Sequence, residues 1–221
     1  MARQDVLALG LAPMILSKCS FPPVVALAVL FSAAISCFGQ TFRWNWREAR
    51  SIGRDQSLRQ ATIGEQEKEA IVAVIVSQLE RRRAGWPPEN QTQRELALDT
   101  AIEIIDLNDD GTGELVARAL GPYLCSPTGN CPLWIFQKRG PGYGLLLEGF
   151  GQRFTIEKSK TNQYRDVVIS MHGSAMYGDL KLYRYESGSY QYAACHEYYW
   201  TALEDVGQVL EEPRVTPCTS R

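Results

Sequence analysis

Residues 180–195 read LKLYRYESGSYQYAAC, and the fold follows from how this stretch pairs with itself. Apolar and polar side chains alternate on both sides of Ser187-Gly188, which is the period of a half-buried strand. Ser187-Gly188 is short enough to form a two-residue hairpin turn. With that turn, Glu186 faces Ser189, Tyr185 faces Tyr190 and Tyr183 faces Tyr192. Alternation then sets Tyr183, Tyr185, Tyr190 and Tyr192 on one face, with Leu182 and Ala193 on the other. Seven of the ten tyrosines lie between residues 177 and 199, and a ladder of this kind stabilises a hairpin by about 0.2–1 kcal/mol per pair. Two uses follow: a platform that stacks on a sugar or grips a protein, or a core face whose hydroxyls reach the rim. The core use is the commoner fate of such a face.

The same period extends back to residue 100. Ile102/Ile104, Leu115–Ala117, Leu133–Phe136, Leu145–Leu147, Phe154–Glu157, Val167–Met171, Leu180–Tyr185 and Tyr190–Cys195 read as short strands. Turn signals separate them at Asn108–Gly111, Arg139–Gly142, Thr161-Asn162 and Ser187-Gly188. Short strands joined by hairpin turns predict a meandering antiparallel sheet. Upstream the period is helical: Ile71, Val72, Ile75, Val76 and Leu79 form one stripe. Thr62-Ile63-Gly64-Glu65 fits a capping box at its start. Arg81–Arg83, Gly85 and Pro87-Pro88 mark its end. Thr92-Gln93-Arg94-Glu95 caps a second, short helix. The expected class is therefore α+β, with one or two N-terminal helices packed on an antiparallel sheet. Residues 62–221 form one domain, helical over 62–99 and β-rich over 100–200, with a C-terminal tail over 201–221.

The N-terminal 39 residues read as a secretory signal. Residues 24–38, VVALAVLFSAAISCF, carry no charge, follow Lys18, and end among small side chains. This run is shorter than the roughly 20 residues of a spanning helix. Cleavage after Gly39 leaves Gln40 first. Ala34-Ile35-Ser36-Cys37 also loosely resembles a lipobox, which would put a lipid on Cys37. Membrane contact is expected only through this segment or that lipid. Residues 40–61 hold Arg43, Arg47, Arg50, Arg54 and Arg59 and read as a solvated basic linker.

Composition sets outer limits. The 221 residues are 45% hydrophobic and 22% charged, which excludes a disordered chain and a multi-span membrane protein. A net charge of −2 gives no electrostatic reason to expect nucleic acid. Beyond the signal, four cysteines remain: Cys125, Cys131, Cys195 and Cys218. An even number in an exported chain reads as two disulfides. Cys125–Cys131 closes a loop containing Pro127 and Gly129, and Cys195–Cys218 follows by elimination. A zinc site is the weaker alternative, because no CxxC is present and only His172 and His196 could join.

Asp106-Leu107-Asn108-Asp109-Asp110-Gly111-Thr112-Gly113-Glu114 places oxygen side chains at positions 1, 3, 5 and 9 with Gly at 6. A hard cation wants several oxygens at about 2.4 Å, and the Gly permits the turn that lets them converge. Ala117 stands where an EF-hand needs a bidentate Glu, so a helix–loop–helix EF-hand is not supported. The strand–loop–strand setting resembles the D-x-[DN]-x-D-G-x-x-[DE] motif of FG-GAP/VCBS-type extracellular modules over about a dozen residues. The resemblance implies a structural calcium held by Asp106, Asn108, Asp110, Glu114 and the carbonyl of Thr112. The single copy implies no propeller. A metal-free turn, with Asp and Asn bonding the local backbone, accounts for the same residues, and both readings stand open. The stretch from Asp106 to Tyr199 also resembles uncharacterised exported bacterial proteins. The shared pattern is Cys125–Cys131, then Trp134-Ile135-Phe136, then Thr161-Asn162-Gln163-Tyr164-Arg165-Asp166; it implies a location and a fold, not an activity.

No GxSxG, HExxH, P-loop or dinucleotide fingerprint occurs. His172, near Ser170 and Ser174, is the one imidazole with a catalytic setting, and Cys195-His196 would point to opposite faces of a strand. Glu148 and Glu157 enter a catalytic argument only with a distance between them. The expected role is a non-catalytic extracytoplasmic binding or accessory module, periplasmic or secreted, whose partner is a protein or glycan of the cell envelope. One alternative is an inhibitor of a secreted, lysozyme-like hydrolase, whose Cys125–Cys131 loop presents Asn130 to a cleft. This loop resembles the Cys-bounded loops of exported lysozyme inhibitors in length and location. A hydrolase built on His172 is the other alternative.

Overall fold

The computed structural model describes residues 42–52, 56–82, 91–200, 203–204, 208–209 and 212–219. The expected signal, the lipid site at Cys37 and the helix stop at Gly85 and Pro87-Pro88 lie outside the described residues. One compact unit spans Arg43–Arg221. It holds helices α1 (Glu65–Arg82) and α2 (Gln93–Leu98) and strands in antiparallel sheets, so the class is α+β as expected. No helix among the described residues is long and apolar enough to cross a membrane.

The strands fall at the expected places but divide into two sheets. The first sheet is β1 (Ala101–Ile105), β2 (Glu114–Arg118), β3 (Cys131–Arg139) and β4 (Gly142–Gly151), in that spatial order. The chain turns at Gln152 and enters the second sheet. That sheet contains β5 (Arg153–Thr161), β6 (Tyr164–His172), β7 (Tyr177–Glu186) and β8 (Ser189–Tyr199). After the short pair β9 (Leu203–Glu204) and β10 (Gln208–Val209), β11 (Arg214–Pro217) returns to β8, giving the order β11-β8-β7-β6-β5. Glycine makes the crossing between sheets possible. A Cβ on Gly151 would sit 2.7 Å from the backbone oxygen of Ser170 and would strike Ile169, both on β6.

The first sheet is apolar on both faces because it lies between layers. Leu115, Ala117, Trp134 and Phe136 turn toward α1, where Ile71, Val72, Ile75 and Leu79 are buried against them. Val116, Leu133 and Ile135 turn the other way and meet Val167, Ile169 and Tyr190 of the second sheet. This explains the continuous apolar runs in β2 and β3, where a sheet with one wet face would alternate.

Both helix starts use a carboxylate that bonds backward, though one is displaced. At α2 the box is the expected one: Thr92 Oγ1 accepts the Glu95 N–H at 3.2 Å, and Glu95 Oε2 accepts the Thr92 N–H at 2.6 Å. At α1 the cap is Gly64 rather than Thr62. The Gly64 carbonyl accepts the Lys68 N–H at 2.9 Å, and its own N–H donates to Glu67 Oε2 at 3.3 Å. Glycine is acceptable as an N-cap, and Glu67 stands at the third helical position, so the start moves two residues along.

Residues 42–60 correct the expectation of a solvated linker. The described part of this segment is packed onto the domain: Arg50 forms a bridge with Phe154 at the β5 edge, Ser57 forms one with Ala101, and Ile52 and Leu58 are buried. Trp44 crosses the outer face of the second sheet, donating from Nε1 to Thr155 Oγ1 at 3.0 Å and packing 5.0 Å from the Tyr198 ring. The arginines 43, 47, 50 and 59 stay exposed while the interleaved apolar residues do the packing.

Candidate functional site

The tyrosine hairpin has the expected register. Glu186 pairs with Ser189, Tyr185 with Tyr190 and Tyr183 with Tyr192. Ser187 and Gly188 adopt positive φ of 52° and 89°. Beyond Tyr192 the ladder shifts: Leu182 pairs with Ala194, so Ala193 is a bulge residue rather than the partner of Leu182. The tyrosine face turns inward. Tyr185 stacks on Tyr164 with centroids 3.8 Å apart, and Tyr190 is buried with its hydroxyl donating to the Arg165 carbonyl at 2.8 Å. Burial pushes the Tyr190 phenol strongly upward. Tyr183 packs on this core as well, and only Tyr192 of the four, at 57% exposure, is a surface residue. The four-tyrosine platform is therefore replaced by a core element with one exposed ring.

Both disulfide pairs are formed, Cys125–Cys131 and Cys195–Cys218. Inside the first loop Asn130 is buried and engaged. Its Nδ2 donates to the His172 carbonyl at 2.8 Å, and its Oδ1 accepts the His172 N–H at 2.7 Å. Asn130 is thus a tie between the loop and the end of β6, which corrects its expected role as a probe for a partner's cleft. Pro127 and Thr128 are the exposed residues of that loop.

The Asp106–Glu114 loop is wound around its own amides. Asp106 accepts from the N–H groups of Asp110 and Gly111 at 3.3 and 2.9 Å, and Asn108 Oδ1 accepts from Asp110 N–H at 3.1 Å. Asp110 accepts from Thr112 N–H at 2.7 Å. Glu114 reaches back under the loop, buried, to accept the Leu107 N–H at 2.9 Å. Burial, with the charges of Asp110 and Asp106 beside it, raises the Glu114 pKa. Asp109, in contrast, points outward to Lys160 and Arg165 at 2.5 and 3.1 Å, which hold its carboxyl below the usual range. Among the described residues, the one trio of His, Cys, Asp and Glu ligand atoms within 4.8 Å of each other is Asp179, Glu197 and Cys218. The Cys218 sulfur is bonded to Cys195, so that trio lacks a thiolate and holds no metal site.

Sequence reasoning missed an aromatic cleft on the outer face of the second sheet. It has a volume of about 190 Å³. Trp44, Tyr198 and Trp200 give it ring walls, and Gln152, Arg153 and His172 give it polar groups. Trp46 stands edge-on behind Trp200 with centroids 5.2 Å apart. Asn130 fixes the backbone of His172 at the cleft, so the disulfide loop braces one of its walls. The signal was present in the sequence as Trp44-x-Trp46 inside the arginine run. Among the described residues no carboxylate lines the cleft. Glu148 and Glu157, the acidic candidates, sit on different sheets. Glu157 has its pKa pushed up to about 7 by burial and by the charges of Glu48 and Asp166.

Comparison with known protein families, curated proteins and solved structures yields no match for this chain.

Proposed function

We propose that this chain is a non-catalytic, extracytoplasmic module that binds a glycan of the cell envelope in the Trp44–Tyr198–Trp200 cleft. The observation that carries this reading is the pairing of flat aromatic walls with Arg153, His172 and Gln152 at one site. A sugar ring offers an apolar C–H face to stack on an aromatic ring and a rim of hydroxyls that need hydrogen-bond partners, and the cleft offers both. Two disulfides support an oxidising compartment. Titration of the protein with peptidoglycan fragments and chitooligosaccharides, followed by tryptophan fluorescence, tests the proposal. A saturable change that is lost in Arg153→Ala/His172→Ala supports it; the absence of any response up to millimolar saccharide overturns it.

A structural calcium in the Asp106–Glu114 loop is a second reading, favoured by one observation. Glu114 is buried under the loop, and its pKa is raised first by that burial and then by the charges of Asp110 and Asp106, which a cation would relieve. Binding would have to draw the three carboxylates together, since their oxygens do not all lie within 4.8 Å of one another. Asp106, Asn108, Asp110, Glu114 and the Thr112 carbonyl would hold it. The ion would then brace the β1–β2 turn and take no part in binding.

A further inference from the structure

Arg118 ends β2 on the same face as Val116, which lies in the layer between the two sheets. A guanidinium therefore occupies a position that the pattern of the strand reserves for a core side chain. Only 9% of Arg118 is exposed. Its Nη2 donates to the Gly129 carbonyl at 3.0 Å and to Cys131 Sγ at 3.1 Å. Its Nε is fully enclosed without a hydrogen-bond partner. No carboxylate among the described residues lies within ion-pair distance of it. Asp99, in a neighbouring depression that shares Leu120 and Pro122, is committed to Arg59 at 2.8 Å. Burial pulls the Arg118 pKa down with no neighbouring charge to offset it. Arginine nevertheless keeps its proton in proteins, so the side chain is a buried cation with no ion pair among the described residues. Such a charge is costly to hold without an anion.

Arg118 lines an open depression of about 380 Å³, a volume within the roughly 300–1,000 Å³ of small-molecule sites. Ile52, Leu120, Pro122 and Pro127 give it an apolar lining, and both cysteines of the Cys125–Cys131 disulfide also line it. Among the described residues no second cation lines it. We propose that this cavity binds a small organic acid, its single carboxylate on Arg118 and its apolar body against Ile52, Leu120 and the two prolines. One guanidinium matches one negative charge, which favours a monocarboxylate over a phosphate. The site is separate from the aromatic cleft and does not depend on the glycan reading.

Thermal unfolding and calorimetric titration with hexanoate, octanoate and benzoate test this, with hexanamide, benzamide and inorganic phosphate as controls. The expected result is a saturable upward shift of the melting temperature with a carboxylate, and none with the amides or phosphate. Arg118→Met, shown folded by circular dichroism, should lose at least tenfold in affinity. Where Arg118→Met does not fold, the exposed rim variant Pro122→Glu decides, since its added charge repels the acid and should weaken binding several-fold. Equal binding of an amide, unchanged binding in folded Arg118→Met or in Pro122→Glu, phosphate binding in place of carboxylate, or no binding by any of the three acids overturns the proposal.

Discussion

The side chain of Asn130 clasps the backbone of His172 from both sides, donating to its carbonyl at 2.8 Å and accepting its N–H at 2.7 Å. One amide thereby joins the disulfide loop that leads into β3 of the first sheet to the last residue of β6 in the second sheet. A side chain that imitates a strand partner in this way satisfies two main-chain groups at once. It also holds His172 where the aromatic cleft needs it.

Asn130→Ala should therefore destabilise the fold by about 2–3 kcal/mol, since two hydrogen bonds go and His172 keeps main-chain groups with lost partners. Asn130→Asp loses the donor and should be destabilising as well. Urea denaturation of the three proteins measures this. A loss of less than about 0.5 kcal/mol, the range of an ordinary surface change, would return Asn130 to the role of a displayed loop residue.

The two ends of the tyrosine ladder should behave differently. Tyr190→Phe removes the bond to the Arg165 carbonyl from a buried site and should cost about 1–1.5 kcal/mol. Tyr192→Ser alters an exposed ring and should change stability by about 0.5 kcal/mol or less beyond its contact with Tyr183. Denaturation midpoints give both values. Equal costs at the two positions would contradict an inward-facing ladder.

Glu157 gives the fold a pH dependence with a definite sign. Its folded pKa, about 7, lies above the ordinary 4.5, so the folded state favours the protonated form. The stability this supplies is complete below about pH 4.5 and is lost as pH rises to about 7. Glu67, Glu95, Asp109 and Asp110 are shifted down instead, so their contributions fade only as pH falls below the ordinary carboxylate range. Glu157→Gln should accordingly be more stable than the parent at pH 8, with the difference shrinking toward pH 5. Melting temperatures across that interval check it; parallel curves would show that Glu157 ionises normally.

Calcium should raise the melting temperature by several degrees relative to chelator, and Asp106→Ala should abolish the increment. Coincident curves with calcium and with chelator would leave the Asp106–Glu114 loop as the metal-free turn that its internal hydrogen bonds already describe.

The strands were legible because a two-residue period and Gly- or Asn-bearing turns are local signals; Asn162 and Gly188 take the positive φ that such turns demand. The division into two sheets was not, since nothing about Gln152 marks it as a crossing point. What permits the crossing is the absence of side chains at Gly149 and Gly151, a requirement imposed by Ile169 from another strand. The bulge at Ala193 and the burial of Arg118 are likewise set by neighbours distant in sequence. The outer cleft was hidden by charge. Five arginines made residues 43–59 look solvated, while Trp44 and Ile52 between them carry the packing.

Isothermal titration with envelope saccharides, comparing the parent protein with Arg153→Ala/His172→Ala, addresses the glycan proposal most directly. Both substitutions lie at partly exposed or exposed positions of the cleft, so the fold should persist and serve as its own control. Saturable binding by the parent and at least tenfold weaker binding by the double variant is the expected result. Binding of equal strength in the two proteins, or none in the parent at millimolar saccharide, would contradict it.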